Sequence, residues 1–135
     1  MKMKKASELM TRPVISAREN ACARDIALQL ISGLYSGMPV TNDAGEIVGI
    51  VTELDILGAV NDGKELSGTT AKEIMTPDVA KATTEATGEE MIKIMKEFHI
   101  IRLPIVKDDK LVGIVSRCDI LKSLIEPEFA VHIGY

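Results

Sequence analysis

Thiols are scarce in this chain: Cys22 and Cys118 are its only cysteines, and no CxxC spacing exists. Two cysteines do not make a disulfide framework, so a reduced setting is the default. Excess basic charge is also missing. The net charge is -4 and the pI about 5.2, which argues against a nucleic-acid binder relying on a basic face. The short cluster Lys2, Lys4 and Lys5 is followed by Glu8 and reads as a solvated tail. Long apolar runs are absent. Ile47–Val51 is far too short to span a bilayer, and MKMKKASELM has no apolar signal-peptide region. A soluble, cytoplasmic protein without a membrane partner is the expectation. There is no P-loop, G-x-S-x-G, HExxH or Gly-rich dinucleotide fingerprint, so nothing in the chain reads as catalytic.

What the chain does have is a 46% hydrophobic and 27% charged composition over 135 residues, sufficient for a core and a solvated surface. It is also written twice. Ala6-Ser7-Glu8-Leu9-Met10-Thr11 matches Ala71-Lys72-Glu73-Ile74-Met75-Thr76 at an offset of 65, which Val14/Val79 and Pro39/Pro104 keep. Gly49/Gly113 and Asp55/Asp119 sit at an offset of 64. One residue is therefore lost in the intervening turn, Asn42-Asp43-Ala44-Gly45 against Lys107-Asp108-Asp109-Lys110. Hairpin turns tolerate such a change best.

Each copy reads as β-α-β-β-α, and the fold class as α/β (α+β). Short extended pieces at Val14–Ser16 and Val79–Ala82 precede helices over about Ala21–Ser32 and Gly88–Phe98. Ile26, Ala27, Leu30 and Ile31 form one apolar helical face, and Met91, Ile92, Met95 and Phe98 the other. Thr87-Gly88-Glu89-Glu90 reads as a capping box. Hairpins follow, Met38–Thr41 with Ile47–Thr52 and Leu103–Val106 with Leu111–Ser116, their second strands apolar throughout and so expected to be covered on both faces. Closing helices fall near Glu53–Val60 and Arg117–Ile125. The polar stretch 61–69 is the linker candidate, giving units 6–62 and 70–126 and a tail 127–135. Units this small gain by packing together, here through their sheets with pseudo-twofold symmetry. In the tail, alternation of Phe129, Val131, Ile133 and Tyr135 suggests an extended segment, or a frayed terminus.

Each apolar strand ends in Ser/Thr-x-x-Asp: Thr52-Glu53-Leu54-Asp55 and Ser116-Arg117-Cys118-Asp119. One reading is a helix N-cap alone, which stabilises a helix by about 1 kcal/mol without any ligand. The other uses the same geometry for recognition. A helix N-terminus suits a phosphate, and a carboxylate beside it can accept both hydroxyls of a ribose. His99 reads as a partly buried structural histidine, and Cys118 as a small core-type residue.

Three segments in fixed order, twice over, resemble the cystathionine-β-synthase-type (CBS) domain family. They are Glu8-Leu9-Met10-Thr11 with Glu73-Ile74-Met75-Thr76, Gly37-Met38-Pro39-Val40 with Arg102-Leu103-Pro104-Ile105, and Gly49-Ile50-Val51-Thr52-x-x-Asp55 with Gly113-Ile114-Val115-Ser116-x-x-Asp119. The resemblance implies a tandem pair, or Bateman module, that forms a homodimer. It also implies a non-catalytic regulatory role: clefts between the repeats bind an adenosine-containing ligand (AMP, ADP, ATP or S-adenosylmethionine), no cofactor is required, and an effector is addressed in trans. By the same resemblance one cleft combines Thr52 and Asp55 with Thr76 and Ala80, and the second Ser116 and Asp119 with Thr11 and Ile15. The Asp is expected on ribose hydroxyls and the Ser/Thr on ribose or phosphate. Ile15, Ala80, Met38 and Leu103 are expected to sandwich the base, aliphatic side chains standing in where aromatic residues are only 3% of the chain. Arg102, where the first copy has Gly37, either meets a phosphate or pairs with a surface acid; the phosphate reading favours the Asp119 cleft for a phosphorylated ligand. The alternative function is a structural dimerisation scaffold without a nucleotide.

Overall fold

A computed structural model describes residues 3–132, with side-chain surroundings for residues 3–125. The chain forms two compact units. A continuous unit comprises Ile15–Val79, and a split unit comprises Met1–Val14 with Ala80–Tyr135. The boundaries cut each repeat after its Met-Thr segment, so each unit takes that segment from one repeat and its sheet from the other.

In the continuous unit the order is β1 (Ala17–Arg18), α2 (Ala23–Gly33), β2 (Gly37–Thr41), β3 (Ile47–Thr52), α3 (Glu53–Asn61) and α4 (Ala71–Ile74). The split unit has α1 (Ala6–Leu9), β4 (Ala82–Thr83), α5 (Gly88–Phe98), β5 (Arg102–Lys107), β6 (Lys110–Ser116) and α6 (Arg117–His132). Each unit holds one three-stranded sheet, β1-β2-β3 or β4-β5-β6. The short first strand runs parallel to the second, which pairs antiparallel with the third.

Strand β3 buries one face fully, and β6 does so beyond Leu111, which is half-buried. Ile47, Gly49 and Val51 are buried while Val48 and Ile50 are half-buried, and Gly113 and Val115 alternate with Val112 and Ile114 likewise. The expected full cover on both faces is therefore only partial on the second. Ile26, Met38, Val40 and Val51 are fully buried in the continuous unit, and Met91, Leu103, Ile105 and Val115 in the split unit. Each such side chain contributes roughly 1.5–3 kcal/mol of hydrophobic stabilisation.

The hairpins differ as the one-residue offset requires. Asp108 and Asp109 both have positive φ, +50° and +65°, as a two-residue turn matched to strand twist demands. The longer β2–β3 turn is held by Asn42 Oδ1, which accepts from the N–H groups of Ala44 (3.0 Å) and Glu46 (2.9 Å), with Gly45 at φ +83°.

The Met-Thr segments close the open edges of β3 and β6. Thr76 and Ile50 exchange backbone bonds of 2.8 and 2.9 Å, and Thr11 and Ile114 bonds of 2.8 and 3.2 Å. These bridges cover strand edges that otherwise invite pairing with other chains. The glycine beside each bridge is what permits the approach: a Cβ at Gly113 would lie 2.8 Å from Met10 Cβ, and one at Gly49 3.1 Å from Met75 Cβ.

Several expectations change. Helix α5 has the expected bounds, and Thr87 Oγ1 accepts from Glu90 N (3.2 Å), but among the described residues the reciprocal bond of a capping box is absent. Ile31 and Phe98 belong to the predicted apolar faces but are 71% and 55% exposed, because the buried stripe is narrower than the apolar one. The linker candidate 61–69 lies inside the continuous unit, with a 3-10 turn at Leu66–Gly68. Ala23 N donates to Thr69 O (2.8 Å), and the Cys22 thiol to Leu66 O (3.2 Å). The stretch 61–69 joins the two repeats, whereas the chain passes between the compact units at Val14/Ile15 and Val79/Ala80. The tail is helical rather than extended as far as His132, since α6 continues through Pro127; Ile133 and Tyr135 lie outside the described residues.

Candidate functional site

Thr52 leaves β3 with extended backbone (φ -109°, ψ 168°) and caps α3. Its N–H donates to Asp55 Oδ2 (2.8 Å), its hydroxyl donates to the same oxygen (3.0 Å), and Asp55 N–H donates to Thr52 Oγ1 (3.2 Å). The strand-edge bridge brings in Thr76, whose hydroxyl donates to Asp55 Oδ1 at 3.4 Å, a long bond. Thr52, Asp55 and Thr76 therefore converge inside one unit although Thr76 belongs to the second repeat. Both oxygens of the half-buried Asp55 carboxylate are occupied.

The split unit repeats the cap with one difference. Ser116 N–H donates to Asp119 Oδ2 (2.8 Å), and Asp119 N–H to Ser116 Oγ (3.0 Å). Among the described residues nothing donates to Asp119 Oδ1, and the Thr11 hydroxyl makes no hydrogen bond. Thr11 lies against β6 through its bridge to Ile114, two residues before Ser116. Arg102 opens β5 directly across from Ser116, whereas Gly37 faces Thr52 in the other unit. The Asp119 site thus combines a carboxylate with one oxygen unengaged among the described residues and the Ser116 hydroxyl, with Thr11 bridged to the same strand and Arg102 on the adjacent one. These are the groups that bind a polyol and an anion side by side.

The remaining expected site residues are dispersed. Leu103 is 0% and Met38 2% exposed, each within its unit's core, so the expectation that they flank a base does not fit their burial. Ala80 is half-buried against the core of the split unit; Ile15 belongs to the continuous unit and is 49% exposed. His99 is not partly buried: it is exposed and ends α5 in the left-handed conformation (φ 54°). Cys118 is exposed rather than a core residue. The contribution of Glu8 and Glu73 was missed. Each accepts from the backbone N–H at the start of its short helix (Lys5 at 3.1 Å, Thr70 at 3.3 Å) and so sets the entry of the segment that delivers Thr11 or Thr76. Thr70-Ala71-Lys72-Glu73 carried the signal, as a capping box written in sequence.

Among the described residues no group of three or more His, Cys, Asp or Glu side chains is placed to hold a metal, and no helix is long and apolar enough to cross a membrane.

The CBS domain pattern matches residues 6–62 and 71–126, and the chain belongs to the CBS domain family. It is 31% identical over 129 residues, 95% of its length, to inosine-5'-monophosphate dehydrogenase of Methanocaldococcus jannaschii, but spans only 25% of that enzyme. It is 33% identical over 135 residues to protein MK0525 of Methanopyrus kandleri, covering 98% of this chain and 68% of that one. Among solved structures, the CBS domain pair of protein MJ0100, in complex with 5'-methylthioadenosine and S-adenosyl-L-methionine, is similar with a TM-score of 0.77 and 28% identity. That likeness covers 93% of this chain and 98% of the other.

Proposed function

We propose that the chain is a regulatory module that binds an adenosine-containing ligand and relays occupancy to a protein in trans, as a homodimer. AMP, ADP, ATP and S-adenosylmethionine are the candidates, and the ligands of the similar MJ0100 pair support the class. The observation that carries the reading is the convergence of hydroxyls from both repeats on Asp55 at a strand-to-helix junction, with Ser116, Asp119 and the bridged Thr11 in the corresponding places of the split unit. Asp119 takes the ribose hydroxyls on its open oxygen, Ser116 and Thr11 hold ribose or phosphate, and Arg102 neutralises a phosphate. The Asp55 site, with Thr52 and Thr76, takes a ligand only by giving up the Thr76 bond, so it binds more weakly. Relay requires a ligand with different affinities for two conformations of the module. The role is regulatory rather than catalytic: the hydroxyl–carboxylate pairs at the two junctions serve as helix caps.

A second reading has its own support. The Thr52–Asp55 pair is a complete reciprocal cap, which is what a scaffold without a nucleotide needs. Thermal unfolding with AMP, ADP, ATP, S-adenosylmethionine and GTP separates the two. At a hundred times Kd a ligand adds about 2.7 kcal/mol, raising Tm by roughly 5 °C or more. A rise with adenosine ligands supports the sensor, and no rise with any ligand in a folded protein supports the scaffold.

A further inference from the structure

The candidate ligands share adenosine and differ in what its 5' carbon carries. AMP, ADP and ATP bring negative phosphates, whereas the sulfonium of S-adenosylmethionine is a cation. The charges placed at the two junctions differ in the same sense. In the split unit Arg12 directly follows Thr11, and Arg102 stands across from Ser116. Lys81 precedes β4, whose Ala82 is paired with Ile105, so it enters the sheet at the end where Arg102 opens β5. In the continuous unit the same repeat positions hold Pro77, Gly37 and Ser16, none of them charged. That unit carries an acid instead: Asp78 stands at the position of Pro13, two residues beyond the Thr76 whose hydroxyl donates to Asp55. Arg12, Lys81 and Asp78 are exposed, and among the described residues none of the three is in an ion pair. Asp78 has φ +58°, a left-handed conformation that Asp and Asn adopt more readily than other residues with a side chain.

We propose that the two junctions sort adenosine ligands by charge, the Asp55 site taking S-adenosylmethionine and the Asp119 site the phosphorylated ligands. This rests on the adenosine reading above and divides its candidate ligands between the sites. Each set of charges lies within the unit whose junction it serves. At the Asp55 site two carboxylates stand where the split unit has one, and every position that holds a cation in the split unit is neutral. A phosphate entering there meets like charge, which costs affinity, while a sulfonium is attracted. At the Asp119 site Arg12, Arg102 and Lys81 outweigh the single acid. They favour phosphate, which a guanidinium can bind through two parallel hydrogen bonds, and they repel a further cation. Each site therefore rejects the other's ligand by repulsion as well as selecting its own by attraction. The chain then holds an anionic and a cationic adenosine ligand together.

The test is calorimetric titration of the full chain with AMP, S-adenosylmethionine and S-adenosylhomocysteine, a thioether that lacks the methyl group and positive charge of the sulfonium. Wild-type chain saturated with AMP is expected to bind S-adenosylmethionine with undiminished affinity, and S-adenosylhomocysteine about fivefold more weakly. Asp78→Asn keeps a residue suited to the left-handed backbone and removes only the charge. It is expected to weaken S-adenosylmethionine about fivefold, to erase its advantage over S-adenosylhomocysteine, and to leave AMP binding as it was. Arg12→Gln is expected to weaken AMP about tenfold and to leave S-adenosylmethionine binding as it was. Competition between AMP and S-adenosylmethionine for one site overturns the sorting, as does a chain that binds AMP alone or a ligand unmoved by the variant in its own site. Binding of neither AMP nor S-adenosylmethionine overturns the adenosine reading itself.

Discussion

The continuous and split units follow one chain path, with equal strand orders and equivalent caps, yet they differ wherever a side chain meets solvent near the strand-to-helix junction. Asp55 is engaged on both oxygens, while Asp119 keeps one open among the described residues. Gly37 stands across from Thr52, and Arg102 across from Ser116. The helix faces diverge too, Ile31, Leu34 and Glu53 against Lys96, His99 and Arg117. Duplication has preserved what the core requires and released what it does not. Packing tolerates few changes of volume, whereas most surface changes cost under about 0.5 kcal/mol, leaving the two junctions and faces free to specialise.

The largest test of the shared part is in the cores. Leu103→Ala and Met38→Ala should each destabilise the protein by roughly 2–5 kcal/mol in chemical denaturation. A loss confined to one of them would break the equivalence of the units. Next come the glycines under the Met-Thr segments. Gly113→Ala and Gly49→Ala should cost about 1–3 kcal/mol each, since the new methyl group overlaps Met10 or Met75. Gly113 should be the worse of the two, because Met10 Cβ is nearer than Met75 Cβ and cannot swing away as a thioether end can.

The division of the fold between repeats and units shows what a sequence can carry. The repeat, the hairpins and the bounds of α5 were legible because period and turn chemistry are local. The exchange of Met-Thr segments was legible only through the family resemblance, which put Thr76 with Asp55 and Thr11 with Asp119; no local pattern encodes the separation at which Thr11 meets Ile114. The site was legible as a motif, Thr52 with Asp55 and Ser116 with Asp119. Its asymmetry was only half visible: Arg102 against Gly37 stood in the sequence, but the Thr76–Asp55 bond required the fold. Met38 and Leu103 are buried in the cores, where an apolar residue next to a motif reads equally as ligand wall and core. His99 was misread because its place at the end of an apolar face hid its left-handed, exposed cap position.

The smallest effect separates the units at their surfaces. Lys5 bonds Glu85 at 2.8 Å in the split unit; the hydrogen bond to Glu85 raises the lysine pKa, and that to Lys5 lowers the glutamate pKa. A lowered carboxylate pKa means the contribution is present above the unfolded glutamate value and is lost as pH falls through the folded one. Both side chains are more than half exposed, so Lys5→Ala should leave the denaturation midpoint at neutral pH nearly unchanged. A large loss would show that this contact anchors the N-terminal segment more than its bridge to β6 does.

Calorimetric titration of AMP into the wild-type chain, Asp119→Asn and Asp55→Asn tests the central claim most directly. Unequal sites predict that Asp119→Asn removes the tighter binding event while Asp55→Asn leaves it in place. Loss of that event in Asp55→Asn with retention in Asp119→Asn, or equal losses in both, would contradict the account.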